Sequence, residues 1–204
     1  MTKYFSSVVM AALVGFAGAT ALAEAVPGKA APAFEIKDAN GKTQKLSDYA
    51  GKWVVLEWFN KDCPYVHKHY DSGNMQKLQK EYTGKGVVWL SVLSSAKGKE
   101  GYMDAAEALK VEKEKNSAAT ALLLDPTGTM GKAYGAKTTP HMFVIDPKGM
   151  IAYAGGIDDN DSANPAVIAK SKNYVAAALD AAMAGKKVEE PSTRPYGCGV
   201  KYGN

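Results

Sequence analysis

The stretch "WVVLEWFNKDCPYVHKHY" (residues 53–70) decides the local fold. Its first seven residues are a nearly continuous run of aliphatic and aromatic side chains, which is typical of a central strand buried on both faces. Cys63 then precedes Pro64, and proline favours the first turn of a helix. The stretch therefore predicts a strand that leads directly into a helix, with Cys63 at the helix N-cap.

The position of Cys63 predicts a reactive sulfur. Free backbone N–H groups and the positive end of the helix dipole favour a thiolate at an N-cap, and cysteines at such sites are commonly nucleophiles. A buried and inert structural cysteine is the alternative. The second cysteine of a C-x-x-C motif is missing, because Val66 stands in its place.

Outside this stretch, strand-like and helix-like segments alternate. A hairpin is expected over residues 34–46, with a turn at Asn40-Gly41 and Ser47 capping a short helix. Further strands are expected at 86–93, 121–125, 141–146 and 150–156, and helices at 64–82 (with a possible break at Gly73-Asn74), 101–115, 129–134 and 164–185. This alternation predicts an α/β domain with a mixed central sheet, helices on both faces and an N-terminal β-hairpin.

Composition and charge narrow the classes of protein. The chain has 204 residues, of which 46% are hydrophobic and 23% are charged, as in one globular domain. The net charge of +4 comes from scattered lysines without a basic run, so we expect no nucleic-acid partner.

The N-terminal residues predict export. Lys3, an apolar stretch and the sequence Ala21-Leu22-Ala23 form the pattern of a cleaved signal peptide, and an uncleaved anchor is the alternative. We expect no membrane association after cleavage. The predicted layout is a signal peptide (1–23), a linker (24–32), a domain (33–185) and a tail (186–204).

The span from about Pro32 to Gly185 resembles the redoxin branch of the thioredoxin superfamily, meaning the peroxiredoxin (alkyl hydroperoxide reductase/thiol-specific antioxidant) and periplasmic thiol–disulfide oxidoreductase families. The matching stretches are residues 32–59, Cys63 after that strand, "LLLDPTGTMGKAYGA" (122–136) and "TTPHMFVIDPKGMIAYAGGID" (138–158). The resemblance implies a thioredoxin-like three-layer sandwich. It also implies that Thr139-Pro140 is a cis-proline step facing Cys63, with the Thr139 backbone pairing with a substrate peptide or stabilising the thiolate.

The chain departs from the family pattern near the cysteine. The peroxiredoxin pattern P-x-x-x-T-x-x-C would need proline and threonine where this chain has Leu56 and Asn60. Peroxiredoxins also use an arginine from within the domain, whereas the only arginine here is Arg194 in the tail. Asn60 or a lysine is our candidate to take that role.

Cys198 lies between two glycines in the tail stretch "TRPYGCGVKY" (193–202). Such flanking residues let a backbone swing and approach another group closely. One interpretation is a distal resolving cysteine that forms a transient disulfide with Cys63. The other is a permanent staple closing a loop of about 135 residues, which would add up to about 5 kcal/mol.

Two histidines share the stretch that contains Cys63. His67 lies four residues after Cys63, on the same helix face, where an imidazole can tune a thiol or transfer a proton. His69 is expected to face solvent. Cys63, His67 and His141 are an alternative ligand set for a soft metal such as Cu(I).

These observations predict an exported thiol-dependent oxidoreductase, either peroxiredoxin-like or exchanging thiols and disulfides. Its substrate would be a hydroperoxide or a protein thiol or disulfide, with an external electron donor and no cofactor. The predicted site comprises Cys63, Cys198, Thr139, Pro140, Asn60 and His67. A non-enzymatic Cu(I)-binding module is the alternative function.

Overall fold

The computed structural model describes residues 25–203. Its strands are β1 (Glu35–Lys37), β2 (Thr43–Lys45), β3 (Val54–Trp58), β4 (Val88–Leu93), β5 (Ala121–Leu124), β6 (Thr138–Thr139), β7 (Met142–Ile145), β8 (Ile151–Gly155) and β9 (Cys198–Gly199). Its α-helices are α1 (Pro64–Asp71), α2 (Asn74–Gly84), α3 (Ala105–Glu114), α4 (Thr129–Tyr134) and α5 (Tyr174–Met183). Two 3-10 helices span Leu46–Tyr49 and Pro165–Lys170.

The central sheet has five strands in the order β5-β4-β3-β7-β8. β3 lies in the middle, parallel to β4 and antiparallel to β7, so the sheet is mixed. β1 and β2 pair as a separate antiparallel hairpin. The predicted α/β fold, a thioredoxin-like sandwich with an N-terminal hairpin, is confirmed.

Two apolar cores cover the two faces of the sheet, because side chains of a strand alternate between faces. Val55 of β3 packs in one core with side chains of α1, α2, α3 and α5. Val54, Leu56 and Trp58 pack in the other core with α4 and the hairpin. β3 is therefore buried on both faces, as its apolar sequence predicts.

The predicted helical segments are divided where turns or caps interrupt the periodicity. The possible break at Gly73-Asn74 is confirmed, because residues 64–82 are divided into α1 and α2 at Gly73, whose φ is 76°. The segment 164–185 is also divided, because the Asn173 side chain caps the first turn of α5. Ser47 does not act as a cap, since Lys45 precedes the 3-10 helix and makes no side-chain capping bond.

The predicted signal peptide lies outside the described residues. Across residues 25–203, none of the helices combines the length and apolar character needed to cross a membrane.

Candidate functional site

Cys63 lies at the N-cap of α1, as predicted. Its backbone N–H donates to Asn60 O at 3.2 Å, and its carbonyl accepts from His67 N at 2.9 Å. These two bonds fix the turn between the central strand and the helix. The side chain has no solvent-exposed surface and belongs to the core shared by α1 and β7.

The Thr139–Pro140 peptide bond is cis, which confirms that part of the prediction. The Thr139 carbonyl accepts from Cys63 Sγ at 3.1 Å. Thr139 is buried and ends the two-residue strand β6. The cis-proline loop and the helix N-terminus therefore meet at the Cys63 sulfur.

Cys198 lies on β9, which pairs antiparallel with β6 so that Cys198 is opposite Thr139. Its Sγ is 2.7 Å from Cys63 Sγ, and both cysteines are free thiols. Cys198 is partly exposed, in contrast to Cys63. Burial and the neighbouring Cys63 sulfur raise the pKa of Cys198 to about 12, so Cys198 keeps its proton near pH 7 in the reduced pair.

Gly197 is required for this approach. Its φ is +133°, and a Cβ built there would lie 2.1 Å from the Thr139 carbonyl oxygen. Gly199, on the other side of Cys198, has open space around the same position. Gly197 therefore allows the backbone to approach Thr139 closely, which is one of the two roles expected for the glycines beside Cys198.

The tail is held on the domain on both sides of Cys198. Pro191 and Thr193 bond the backbone of Ala154 on β8. Beyond Cys198, Val200 N donates to Lys137 O at 3.1 Å, and the Tyr202 hydroxyl donates to Ala136 O at 2.8 Å.

Tyr196, two residues before Cys198, anchors the near side of the tail. Its buried hydroxyl contacts Lys68 and His69 of α1 and donates to the Asp158 carboxylate. Lys68 and Asp158 could not be recognised from the sequence, since a lysine in a polar helix and an acid in an acidic loop both resemble surface residues. His69 is fully buried, so the expectation that it faces solvent is wrong.

Asn60 acts on the loop that precedes Cys63. It is 1% exposed, its Oδ1 accepts from Asp62 N at 2.9 Å, and its amide approaches Glu100 O at 3.5 Å. None of its hydrogen bonds goes to a sulfur. The structure therefore gives Asn60 contacts that position the loop.

The His67 ring is not hydrogen-bonded to the Cys63 sulfur, although the two residues share a helix face. Its Nδ1 lies 2.8 Å from Asp71 Oδ2 and 3.2 Å from Lys115 Nζ, in a partly exposed surface cluster. Within the described residues, the His67 ring therefore has no contact through which it could tune the thiol directly.

His141 is buried beside Phe143, and its Nδ1 accepts from Lys137 N at 3.2 Å. Burial lowers the pKa of His141 to about 4. Within residues 25–203 there is no cluster of three or more His, Cys, Asp or Glu that could hold a metal ion. The proposed Cu(I) set of Cys63, His67 and His141 is therefore not assembled in this part of the chain.

Arg194 and Glu57 both bond partners other than the two sulfurs. Arg194 is exposed and pairs with Asp161 at 2.7 Å, so its guanidinium is directed to the tail surface. Glu57, within the buried strand β3, accepts from four side chains: Tyr70, Gln79, Trp89 and Ser91. Burial raises the pKa of Glu57. A single acid within the apolar run of β3 is the signal in the sequence for this buried carboxyl.

Comparison with known proteins gives consistent results. Residues 27–154 match the model of the AhpC/TSA family. The chain is 26% identical over 159 residues to the thioredoxin-like protein YneN of Bacillus subtilis, covering 74% of this chain and 88% of YneN. It is 29% identical over 127 residues to the thiol-disulfide oxidoreductase ResA of Bacillus thuringiensis, covering 61% of this chain and 66% of ResA.

Among solved structures, an uncharacterized conserved protein from Geobacillus kaustophilus aligns with a TM-score of 0.77 at 26% identity, covering 89% of this chain and 94% of that chain. The overlap extends well beyond residues 27–154, so most of the fold described above is shared with that protein. Together with the N-cap cysteine and the cis-proline loop, the family match shows that this chain belongs to the AhpC/TSA family.

Proposed function

We propose that this protein is an exported thiol-dependent oxidoreductase that cycles between a Cys63–Cys198 dithiol and a disulfide. The observation that carries the proposal is the 2.7 Å separation of the two sulfurs beside the cis-proline loop. Bond formation needs an approach of only about 0.7 Å, because a disulfide bond is about 2.05 Å long. The signal-peptide pattern of residues 1–23 supports export to a compartment where such disulfides persist.

The different exposure of the two sulfurs orders the exchange steps. Cys63 is fully buried, so while β9 stays on β6 an external sulfur meets Cys198 first. In the reductive direction an external thiolate attacks Cys198 Sγ and forms a mixed disulfide with it. The Cys63–Cys198 bond breaks, and its electron pair leaves on Cys63, where the N-terminus of α1 favours negative charge.

A second external thiol then completes the reaction. It attacks the external sulfur of the mixed disulfide and expels Cys198, which takes up the proton that the attacking thiol releases. One external disulfide forms for each protein disulfide that is reduced. In the oxidative direction the same steps run in reverse: the Cys198 thiolate attacks the external disulfide and releases one external thiol, and Cys63 then attacks Cys198 Sγ and expels the other external thiolate.

Exchange with a thiol or disulfide substrate fits the site better than reduction of a hydroperoxide. A peroxide would have to reach Cys63, which Cys198 and the Thr139 carbonyl cover. Arg194 pairs with Asp161 and does not extend to the sulfur pair. The similarity to ResA, described as a thiol-disulfide oxidoreductase, supports the same choice.

The proposal is tested with Cys63→Ser and Cys198→Ser. Purified variants and wild type are mixed with oxidised glutathione or with hydrogen peroxide, and turnover is followed with an added dithiol. We expect turnover with the disulfide substrate to fall at least a hundredfold in both variants. Wild-type turnover in a variant that lacks either sulfur would refute the proposal.

A further inference from the structure

A buried polar cluster, formed by Lys68, His69, Asp158 and Tyr196, takes no part in the exchange steps described above. Lys68 Nζ lies 3.3 Å from Asp158 Oδ2, and the two side chains are 0% and 3% exposed. Lys68 Nζ also donates to Asn160 O at 2.7 Å. The cluster is therefore a fully buried ion pair with additional hydrogen bonds.

The Tyr196 hydroxyl is the group that connects this cluster. Lys68 Nζ donates to it at 3.2 Å, and it donates its own proton to Asp158. The Asn74 amide donates to His69 Nδ1 at 2.8 Å, so His69 Nε2 carries the hydrogen that faces the hydroxyl at 3.3 Å. Burial lowers the pKa of His69 to about 4, which keeps this ring neutral near pH 7. The hydroxyl thus accepts two hydrogen bonds and donates one, its full capacity.

Stability alone does not account for such a cluster. Removing a lysine and an aspartate from water is costly, and apolar replacements of a buried ion pair are often as stable or more stable. A fully satisfied buried network does, however, select one arrangement of the groups that it joins.

The groups joined here carry the two sulfurs. Lys68 and His69 lie on α1, whose N-cap is Cys63. Tyr196 lies two residues before Cys198, and its ring also packs edge-on against Tyr65 of α1 at 5.7 Å. The cluster therefore fixes the tail to the same helix that carries the buried sulfur.

We propose that Tyr196 is a positioning residue whose hydroxyl, held by Lys68, His69 and Asp158, sets the effective concentration of Cys198 at Cys63. This inference rests on the proposed function, because an effective concentration applies only to a pair that exchanges. The buried ion pair selects one arrangement of α1 and the tail, and this arrangement serves the redox reaction. No side chain of the cluster touches a reacting sulfur.

The test compares Tyr196→Phe with wild type in redox buffers of reduced and oxidised glutathione. The fraction of Cys63–Cys198 disulfide at equilibrium gives the effective concentration, which we expect to fall at least about tenfold. Tyr82→Phe is the matched control, because the Tyr82 hydroxyl also donates to a carboxylate, Asp180 Oδ1, at 3.0 Å, but it joins α2 to α5. Tyr82→Phe should lower the stability to urea and leave the effective concentration unchanged.

A double variant, Lys68→Met with Asp158→Leu, separates positioning from stability. It should unfold in urea at the wild-type concentration or higher, yet it should show the same loss of effective concentration. An effective concentration within twofold of wild type in Tyr196→Phe or in the double variant would overturn the inference. An equal loss in Tyr82→Phe would also overturn it. A wild-type protein that forms no Cys63–Cys198 disulfide would overturn the proposed function as well.

Discussion

Replacing Gly197 by alanine should separate Cys198 from Cys63 without altering either sulfur. An alanine Cβ would lie 2.1 Å from the Thr139 carbonyl oxygen, whereas real Cβ contacts stay beyond 3.0 Å. The pairing of β9 with β6 must therefore open by about 1 Å, and a displacement of that size costs about a hundredfold in a reaction that depends on alignment. The φ of +133° adds a backbone penalty of about 1–3 kcal/mol for alanine.

The expected result for Gly197→Ala is a disulfide that forms about a hundredfold more slowly. If the same factor applies to the equilibrium constant, the reduction potential rises by about 60 mV, since a tenfold change corresponds to about 30 mV for two electrons. The rate is measured by adding oxidised glutathione to the reduced protein, quenching with an alkylating reagent and counting blocked thiols by mass. The potential is measured in glutathione buffers.

Gly199→Ala is the matched control, because it adds the same methyl group one residue after Cys198. Nothing lies within 4 Å of its Cβ, and its φ is outside the left-handed region. Its rate and potential should equal those of wild type. Equal behaviour of the two glycine variants would refute the reasoning, because it would mean that the docking of β9 on β6 does not control the sulfur pair.

Three further predictions follow from the geometry and the pKa shifts. In the first, oxidised wild-type protein is treated with glutathione, and the freed thiol is trapped with N-ethylmaleimide. Peptide mapping should find glutathione on Cys198 and the maleimide on Cys63. The opposite placement would contradict the proposed order of steps. His67→Ala should change the free energy of unfolding by less than about 1 kcal/mol. It should also leave the rate of disulfide formation within threefold of wild type, because the His67 ring bonds Asp71 and Lys115. A larger loss of rate would show that His67 tunes the thiol. Burial lowers the pKa of His141 from 6.5 to about 4. As the pH drops, the unfolded chain therefore takes up a proton on His141 before the folded protein does. The free energy of unfolding falls between about pH 6.5 and about pH 4 as a result. His141→Gln should reduce this pH dependence in urea titrations, and an unchanged slope would show that His141 does not contribute to it.

The fold could be predicted from local patterns because its signals are short-range. The apolar run before Cys63, the Cys-Pro step and the strand pair after Pro140 each specify their own element, and the structure contains all three. Capping side chains were harder to predict. Asn173 begins α5 inside the single predicted helix of residues 164–185, because its side chain accepts from the α5 backbone, an effect that apolar periodicity does not reveal.

The site was only partly predictable because its connections are long-range. The sequence offered Cys198 as the one possible partner for Cys63, but it did not show that the tail bonds β8 at Pro191 and Thr193 and pairs with β6 through β9. Lys68 and Asp158 are 90 residues apart, and each looks like a surface charge until the fold brings them together. His67, by contrast, was selected from its spacing alone, and its ring bonds a nearer carboxylate.

The most direct test of the central claim is a thiol count with disulfide mapping on the wild-type protein. We predict two free thiols after mild reduction and none after treatment with oxidised glutathione, with a single linked peptide pair containing Cys63 and Cys198. Native protein should regain both thiols in a millimolar dithiol without unfolding. Two thiols that persist after oxidation, or a disulfide that is reduced only in denaturant, would contradict a cycling pair.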